Sequence, residues 1–344
     1  MLRHPKALGD FMTSTSSQVG AHIPLIYHFA MLQDKSRMES FKEAIELAVP
    51  IGSRVLELGG GTGALSFFAA QRAAKVYCVE RLRENALVAR SLLAKNRNGE
   101  RVEVICADAL HYLPPEPVDV VICEMLHVGM VREQQIEVIE SFKKRYLATF
   151  GGPLPRFIPE AFIQGIQPIN YNFNFFGYVA PVPLFQSPGN ADPACKELGD
   201  PAVYQLAEYR YDVSRRISWK GSLPINSSGE CNAMRIILKN LVAIRLDQNS
   251  PVAWHNQYLV VPLPSSIPVQ EGSSLEVSIN YSSGCEVEEL QNSVVVSRTI
   301  RPRLSEQIER IIYEPTQPEE STSNYDSVEQ EISKRTHALD DSIE

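Results

Sequence analysis

The sequence predicts an α/β protein in two parts: a domain built on a parallel sheet, then a domain of mostly antiparallel strands. Three observations predict this. Up to about Leu154, short hydrophobic runs alternate with helical patterns. Four glycines, Gly59, Gly60, Gly61 and Gly63, sit between the first such run and the helix after it. Beyond Leu154 helical periodicity gives way to strand-like runs separated by Gly, Pro, Ser and Asn.

The elements follow in order. Met38, Phe41, Ile45 and Ala48 recur at helical spacing, so one helix is expected from about Tyr27 to Val49, stopped by Pro50. "RVLEL" reads as a strand and "ALSFFAAQRAA" as a helix; "KVYCVE" is the next strand and "RENALVARSLLAKN" the next helix. "RVEVICAD" and "VDVVICE" are strands, and "REQQIEVIESFKKRYL" is a helix. In the second part, "EAFIQGIQPI", "NAMRIILKNLVAIRL", "NQYLVVPL", "SSLEVSINY" and "NSVVVSRTI" are strand-like, without a long helix among them. They predict a sandwich or barrel. The Pro/Gly-rich stretch "YVAPVPLFQSPGNADPACKELGDP" reads as a long excursion between strands. The division expected is a helical segment over 1–50, a parallel-sheet domain over 51–154, a β-barrel domain over 155–313 and a disordered acidic tail over 314–344.

Composition excludes several classes. A chain of 344 residues, 44% hydrophobic and 22% charged, is ordinary for a globular protein. No apolar run approaches the roughly 18 residues of a membrane span, and the start lacks the apolar core of a signal peptide, so a cytoplasmic protein is expected. The six cysteines form no CxxC pair, which argues against a zinc site or a disulfide framework. From Pro315 to Glu344 eight acids face two bases, so -6 of the net charge of -8 lies in the tail and the body carries only -2. A nearly neutral body does not suit broad nucleic-acid binding by phosphate neutralisation.

The glycine loop has two functional readings. Glycines there permit tight turns and close approach of backbone to a ligand, and the following helix offers free amides. Gly59-x-Gly61-x-x-Ala64 loosely fits a dinucleotide fingerprint. Glu57-x-Gly59-x-Gly61-x-Gly63 fits the glycine motif of class I methyltransferases, which use S-adenosylmethionine (SAM), and the acid two residues before the first glycine favours that reading. Glu80 ends the next strand, where a carboxylate can hydrogen-bond two ribose hydroxyls; Asp108, followed by Ala109, ends the third, where such enzymes hold the adenine.

From here the sequence resembles the protein arginine methyltransferase family, with a Rossmann-like class I methyltransferase domain followed by an antiparallel β-barrel. In "HFAMLQDKSR" the residues His28, Met31 and Arg37 match the family's segment before the SAM domain. The resemblance implies that Arg37 pairs with the SAM carboxylate and that Met31 packs by the transferable methyl. Glu124 and Glu133, nine residues apart, match its paired-glutamate loop. Taken alone, Arg37 is a helix-surface charge and Glu133 an acid meeting a helix dipole; the matches around them turn the reading. The family's Thr-His-Trp loop reads here Ala253-Trp254-His255, its paired tyrosines are Gln18 and His22, and the Trp after the first glutamate is Met125. Those departures touch the substrate pocket. The resemblance also implies a homodimer, with an arm here assigned to about 172–200.

Two glutamates suit a guanidinium. The fork presents five N–H donors and stays protonated at neutral pH. Two carboxylates can hold it by charge-assisted hydrogen bonds and draw charge away from the nitrogen that reacts. The activity implied is N-methylation of arginine in a protein, or of free arginine or a related small molecule. The released proton goes to a glutamate, to His255 through water, or to solvent. Two further readings stay open: SAM-dependent methylation of a carboxylate or hydroxyl, and a catalytically inactive SAM-binding partner subunit. No metal, nucleic-acid or membrane partner is expected.

Overall fold

The computed structural model describes residues 23–189, 192–245 and 250–300, with the side chains of 298–300 left aside. The tail assigned to 314–344 therefore lies outside the described residues, as do Gln18 and His22.

The first part opens with two helices, α1 (Leu25–Met31) and α2 (Lys35–Ala48), where the sequence predicts one. The break is local chemistry: Asp34 caps α2, its side chain accepting the Arg37 N–H at 2.9 Å. Val49 then leaves the helix in an extended conformation, as a residue before proline does. Five parallel strands follow, β1 (Arg54–Leu58), β2 (Lys75–Glu80), β3 (Val102–Cys106), β4 (Val120–Cys123) and β5 (Arg156–Ile158), in the spatial order β3-β2-β1-β4-β5. Helices α3 (Ala64–Ala70), α4 (Arg83–Leu93) and α5 (Gln135–Phe150) connect them. Strands β1, β2 and β4 are buried on both faces almost throughout, which is why they read as continuous apolar runs. The reversal of strand order falls between β1 and β4, and ligands bind at the carboxyl ends of strands at such a switch point.

The fifth parallel strand begins at Arg156, beyond the boundary drawn at 154. The remaining strands are antiparallel. A seven-stranded sheet is built from β6 (Ala161–Tyr171), β9 (Leu184–Gln186), β10 (Cys195–Glu197), β11 (Ala202–Glu208), β13 (Gly229–Ala243), β14 (Val252–His255) and β15 (Tyr258–Val269). A three-stranded sheet is built from β12 (Arg216–Pro224), β16 (Ser274–Ser282) and β17 (Val295–Ile300), with α6 (Val287–Ser293) between the last two. Strands β7 (Asn174–Phe175) and β8 (Tyr178–Val179) form a separate hairpin within the predicted arm. The fold is thus a Rossmann-like parallel core followed by a curled antiparallel domain. Residues from both parts share one hydrophobic core: Phe41, Leu56, Ile122 and Met130 join Phe162, Ile236 and Tyr281. The described residues up to Ile244 and from Pro251 to Ile300 form one compact unit. Among the described residues no helix is long and apolar enough to cross a membrane.

Candidate active site

A cleft of about 650 Å³ opens at the carboxyl ends of β1, β2 and β4, a size suited to a small-molecule ligand. Its floor is the glycine loop. Gly59 and Gly61 have φ of +83° and +53°, the left-handed region that glycine adopts without strain. Neither has room for a side chain: a Cβ on Gly59 would meet Met125 Cγ at 2.9 Å, and one on Gly61 would meet His28 Nδ1 at 2.9 Å. Two acids pin this loop. Glu57 accepts the Ser66 N–H at 2.9 Å and also the Ser66 hydroxyl, and burial pushes it up to about 7. Glu80 accepts the Gly61 N–H at 2.9 Å and the Leu82 N–H at 2.8 Å. Asp108 accepts the Leu110 N–H at 2.9 Å, and Asp108, Ala109, His28 and Met31 all line the cleft. Burial lowers the His28 pKa more than Glu80 and Glu124 raise it, which favours a neutral imidazole.

The residues fit a nucleoside-bearing sulfonium compound. The loop is a cradle that a Cβ would fill. Asn85, 3% exposed and also lining the cleft, has an amide nitrogen with no hydrogen-bond partner among the described residues. A buried amide left unpaired is costly, so an unpartnered donor on a cleft-lining residue suits a polar ligand.

Three charged residues converge in the same cleft. The Arg37 guanidinium pairs through Nη2 with Glu124 Oε2, and the two side chains are only 11% and 10% exposed. Arg37 also lies 5.6 Å from the Phe41 ring and 6.0 Å from the Trp254 ring, within cation–π range. Burial opposes its charge, but Glu124, with Asp34 and Glu57, more than offsets that and holds Arg37 above its ordinary pKa. Glu133 lies close enough to feel both: burial and then the Glu124 carboxylate push it up to about 8, with Arg37 and Arg132 acting the other way.

The backbone around both glutamates is held by contacts that sequence reasoning missed. Gln135, 1% exposed at the start of α5, donates to the Cys123 carbonyl at 2.6 Å and accepts the Met125 N–H at 2.9 Å. It therefore grips the chain on either side of Glu124. The loop leading to Glu133 passes through positive φ at Gly129, Met130 and Arg132. The antiparallel domain holds it there: Tyr281 Oη donates to the Gly129 carbonyl at 2.8 Å, Arg132 N–H to the Cys285 carbonyl at 2.7 Å and Gly284 N–H to the Met130 carbonyl at 2.8 Å.

His255 stands apart from the other candidate residues. It does not line the cleft; its neighbours Trp254 and Asn256 do. Side chains alternate along β14, so exchanging the order of Trp and His turns the imidazole to the other face and brings the indole over Arg37. Asn256 donates to the Leu126 carbonyl at 2.9 Å and accepts from Asn240 at 2.7 Å, a further tie on the first glutamate's loop. His127 lines the cleft, bonded through Nδ1 to the Val128 carbonyl at 2.9 Å and edge-on to Phe185 at 5.6 Å.

The family model described as a methyltransferase domain matches residues 55–147, the stretch that carries the glycine loop and both glutamates. The arginine Nω-methyltransferase of Streptomyces achromogenes subsp. streptozoticus is 29% identical over 134 residues, 38% of this chain and 37% of that protein. The chain is a divergent class I, SAM-dependent methyltransferase resembling the protein arginine methyltransferases. This methyltransferase aligns with just over a third of that Streptomyces relative. It aligns almost end to end with an uncharacterized protein of Methanothermobacter thermautotrophicus, 29% identical over 270 residues, 78% of this chain and 97% of that one. Among solved structures, a Trypanosoma brucei protein arginine methyltransferase 1 enzyme–prozyme heterotetramer with S-adenosylhomocysteine superposes with a TM-score of 0.62. That match covers 82% of this chain and 99% of that one at 16% identity, a likeness of fold.

Proposed function

We propose that this methyltransferase acts on a guanidinium nitrogen, of arginine in a protein or of free arginine or a related small molecule, with Glu124 and Glu133 as the clamp. One observation carries the reading: Glu124 already binds a guanidinium, that of Arg37, in the cleft that also contains Glu133 and the glycine loop. The glycine loop, Glu80, Asn85, Asp108 and Ala109 would hold the nucleoside of SAM, with His28, Met31 and Arg37 about its amino-acid end. Arg37 uses Nη2 on Glu124, and its planar fork has further donors for a carboxylate.

Bound SAM supplies an electrophilic methyl whose carbon–sulfur bond breaks as the nitrogen–carbon bond forms. The chain supplies alignment and charge. Glu124 and Glu133 take N–H donors of the acceptor's fork, drawing positive charge onto the nitrogens they hold and leaving the third richer in electrons. With its pKa at about 8, Glu133 can shed its proton when a guanidinium docks beside it and take one back from the methylated nitrogen.

Glu124→Gln and Glu133→Gln test this. Each should cut turnover by more than about 100-fold, some 2.7 kcal/mol or more, while SAM affinity measured by calorimetry is largely kept. Near-full activity in both variants would sink the clamp. Mass spectrometry with labelled SAM, free arginine and arginine peptides reports the product, and no methyl transfer to any guanidine would sink the reading as a whole.

We propose further that the chain acts as a homodimer through the β7–β8 hairpin. The support is its exposed apolar tip, Phe176 at 110% with Tyr178 and Val179 also exposed, the kind of patch that marks an interaction surface. Phe176→Asp should shift the mass measured by light scattering toward that of one chain; an unchanged mass would reject the hairpin.

A further inference from the structure

The loop between the glutamates carries another charged side chain, which the clamp leaves unused. Arg132 immediately precedes Glu133 and lines the same cleft. Its backbone adopts φ +64°, unusual for a residue other than glycine, and is locked there by the Arg132 N–H bond to Cys285 and the Gly284 N–H bond to Met130. Among the described residues no ion pair or side-chain hydrogen bond engages its guanidinium, whereas Arg37 and Arg215 are each paired with a glutamate. Its charge nonetheless acts within the site. Burial and Glu124 raise Glu133, and Arg132 opposes them; burial lowers His127, and Arg132 lowers it further.

A cation beside a cation-binding clamp works against the substrate. Like charges at close range repel, and more strongly where water is excluded. The arrangement becomes favourable when the substrate also carries an anion, because a guanidinium fork matches a carboxylate with two parallel hydrogen bonds. A main-chain amide of a polypeptide offers no such group, whereas a free amino acid does. We propose that the methyl acceptor is a small guanidino acid, its carboxylate bound by Arg132 while Glu124 and Glu133 hold its guanidinium. This rests on the guanidinium reading above and narrows it to one substrate class.

The test compares free arginine, its decarboxylated analogue agmatine, and an arginine-containing peptide amide in the wild-type enzyme, Arg132→Gln and Arg132→Lys. The wild type should favour arginine over the other two by about 10- to 100-fold in kcat/KM, the worth of one charge-assisted bond pair, expressed mainly in KM. Arg132→Gln should move the two small substrates in opposite directions, raising KM for arginine and lowering it for agmatine, whose only charges are positive. Arg132→Lys should retain part of the preference. A wild-type enzyme that uses agmatine or the peptide as well as arginine overturns the carboxylate site and leaves the guanidinium reading standing. Arg132→Gln slowing all three alike, or raising KM for SAM instead, overturns it equally. No methylation of any guanidine removes the guanidinium reading and this proposal with it.

Discussion

Replacing Glu133 by glutamine should change how stability depends on pH, in a direction that its surroundings determine. In the folded chain, burial and the Glu124 carboxylate hold Glu133 at about 8, against an ordinary value of 4.5. Across that window the unfolded chain has released the proton that the folded chain still binds. Stability therefore falls as pH rises through it. The contribution is complete below the unfolded value and lost once pH has passed the folded one. One pKa unit corresponds to about 1.4 kcal/mol, so the wild type should lose roughly that much per pH unit relative to Glu133→Gln, and on the order of 5 kcal/mol over the whole shift. Glutamine keeps the shape and a donor but does not titrate. Urea unfolding of both proteins at a series of pH values reads the difference directly; between about pH 5.5 and 7.5 it should widen by roughly 3 kcal/mol. Glu57, raised to about 7 by burial, titrates in the same window in both proteins and drops out of the difference. A difference that stays flat with pH would mean that Glu133 ionises as an ordinary carboxylate, and the proton-handling role assigned to it would fail.

Arg37→Ala should leave Glu124 charged and unpaired in a largely dry pocket, costing roughly 3 kcal/mol in thermal or urea unfolding; adding Glu124→Gln should recover most of that loss. Gln135→Leu should strand the Cys123 carbonyl and the Met125 N–H, costing about 2 to 3 kcal/mol, and should lower kcat more than SAM affinity because the damage falls on the backbone flanking Glu124. His255→Ala should keep turnover within about 3-fold, whereas Trp254→Ala, which strips the indole from Arg37, should cut it by about 10-fold or more. Equal losses in steady-state assays of those two variants would contradict the facing assigned to β14.

The parallel core was legible because burial on both faces leaves a continuous apolar run. "RVLEL" and "KVYCVE" match β1 and β2 residue for residue. Strand β5 escaped because three residues after Gly151 and Gly152 carry no pattern, and its place comes from pairing with β4. The site divides in the same way. Glu57, Glu80, Glu124 and Glu133 stand at strand ends or fixed spacings, where type and position together are informative. Asn85, Gln135 and Asn256 are ordinary amides in sequence, and their roles arise from partners or lining positions distant along the chain. Trp254 and His255 carry a usable signal in their order: the strand's two-residue period means that swapping neighbours exchanges the faces they occupy. Arg37 and Glu124 show a deeper limit. The resemblance assigns them to two different ligands, and both line one cleft. In the folded chain they bind one another. Spacing in sequence specifies which charges converge, but which opposite charge satisfies each is settled by distance, burial and competition within the cleft. On the proposed reading, a carboxylate on Arg37 and a guanidinium on Glu124 would each contend with that existing bond, so the affinities for the two substrates would be coupled through it, and reciprocally.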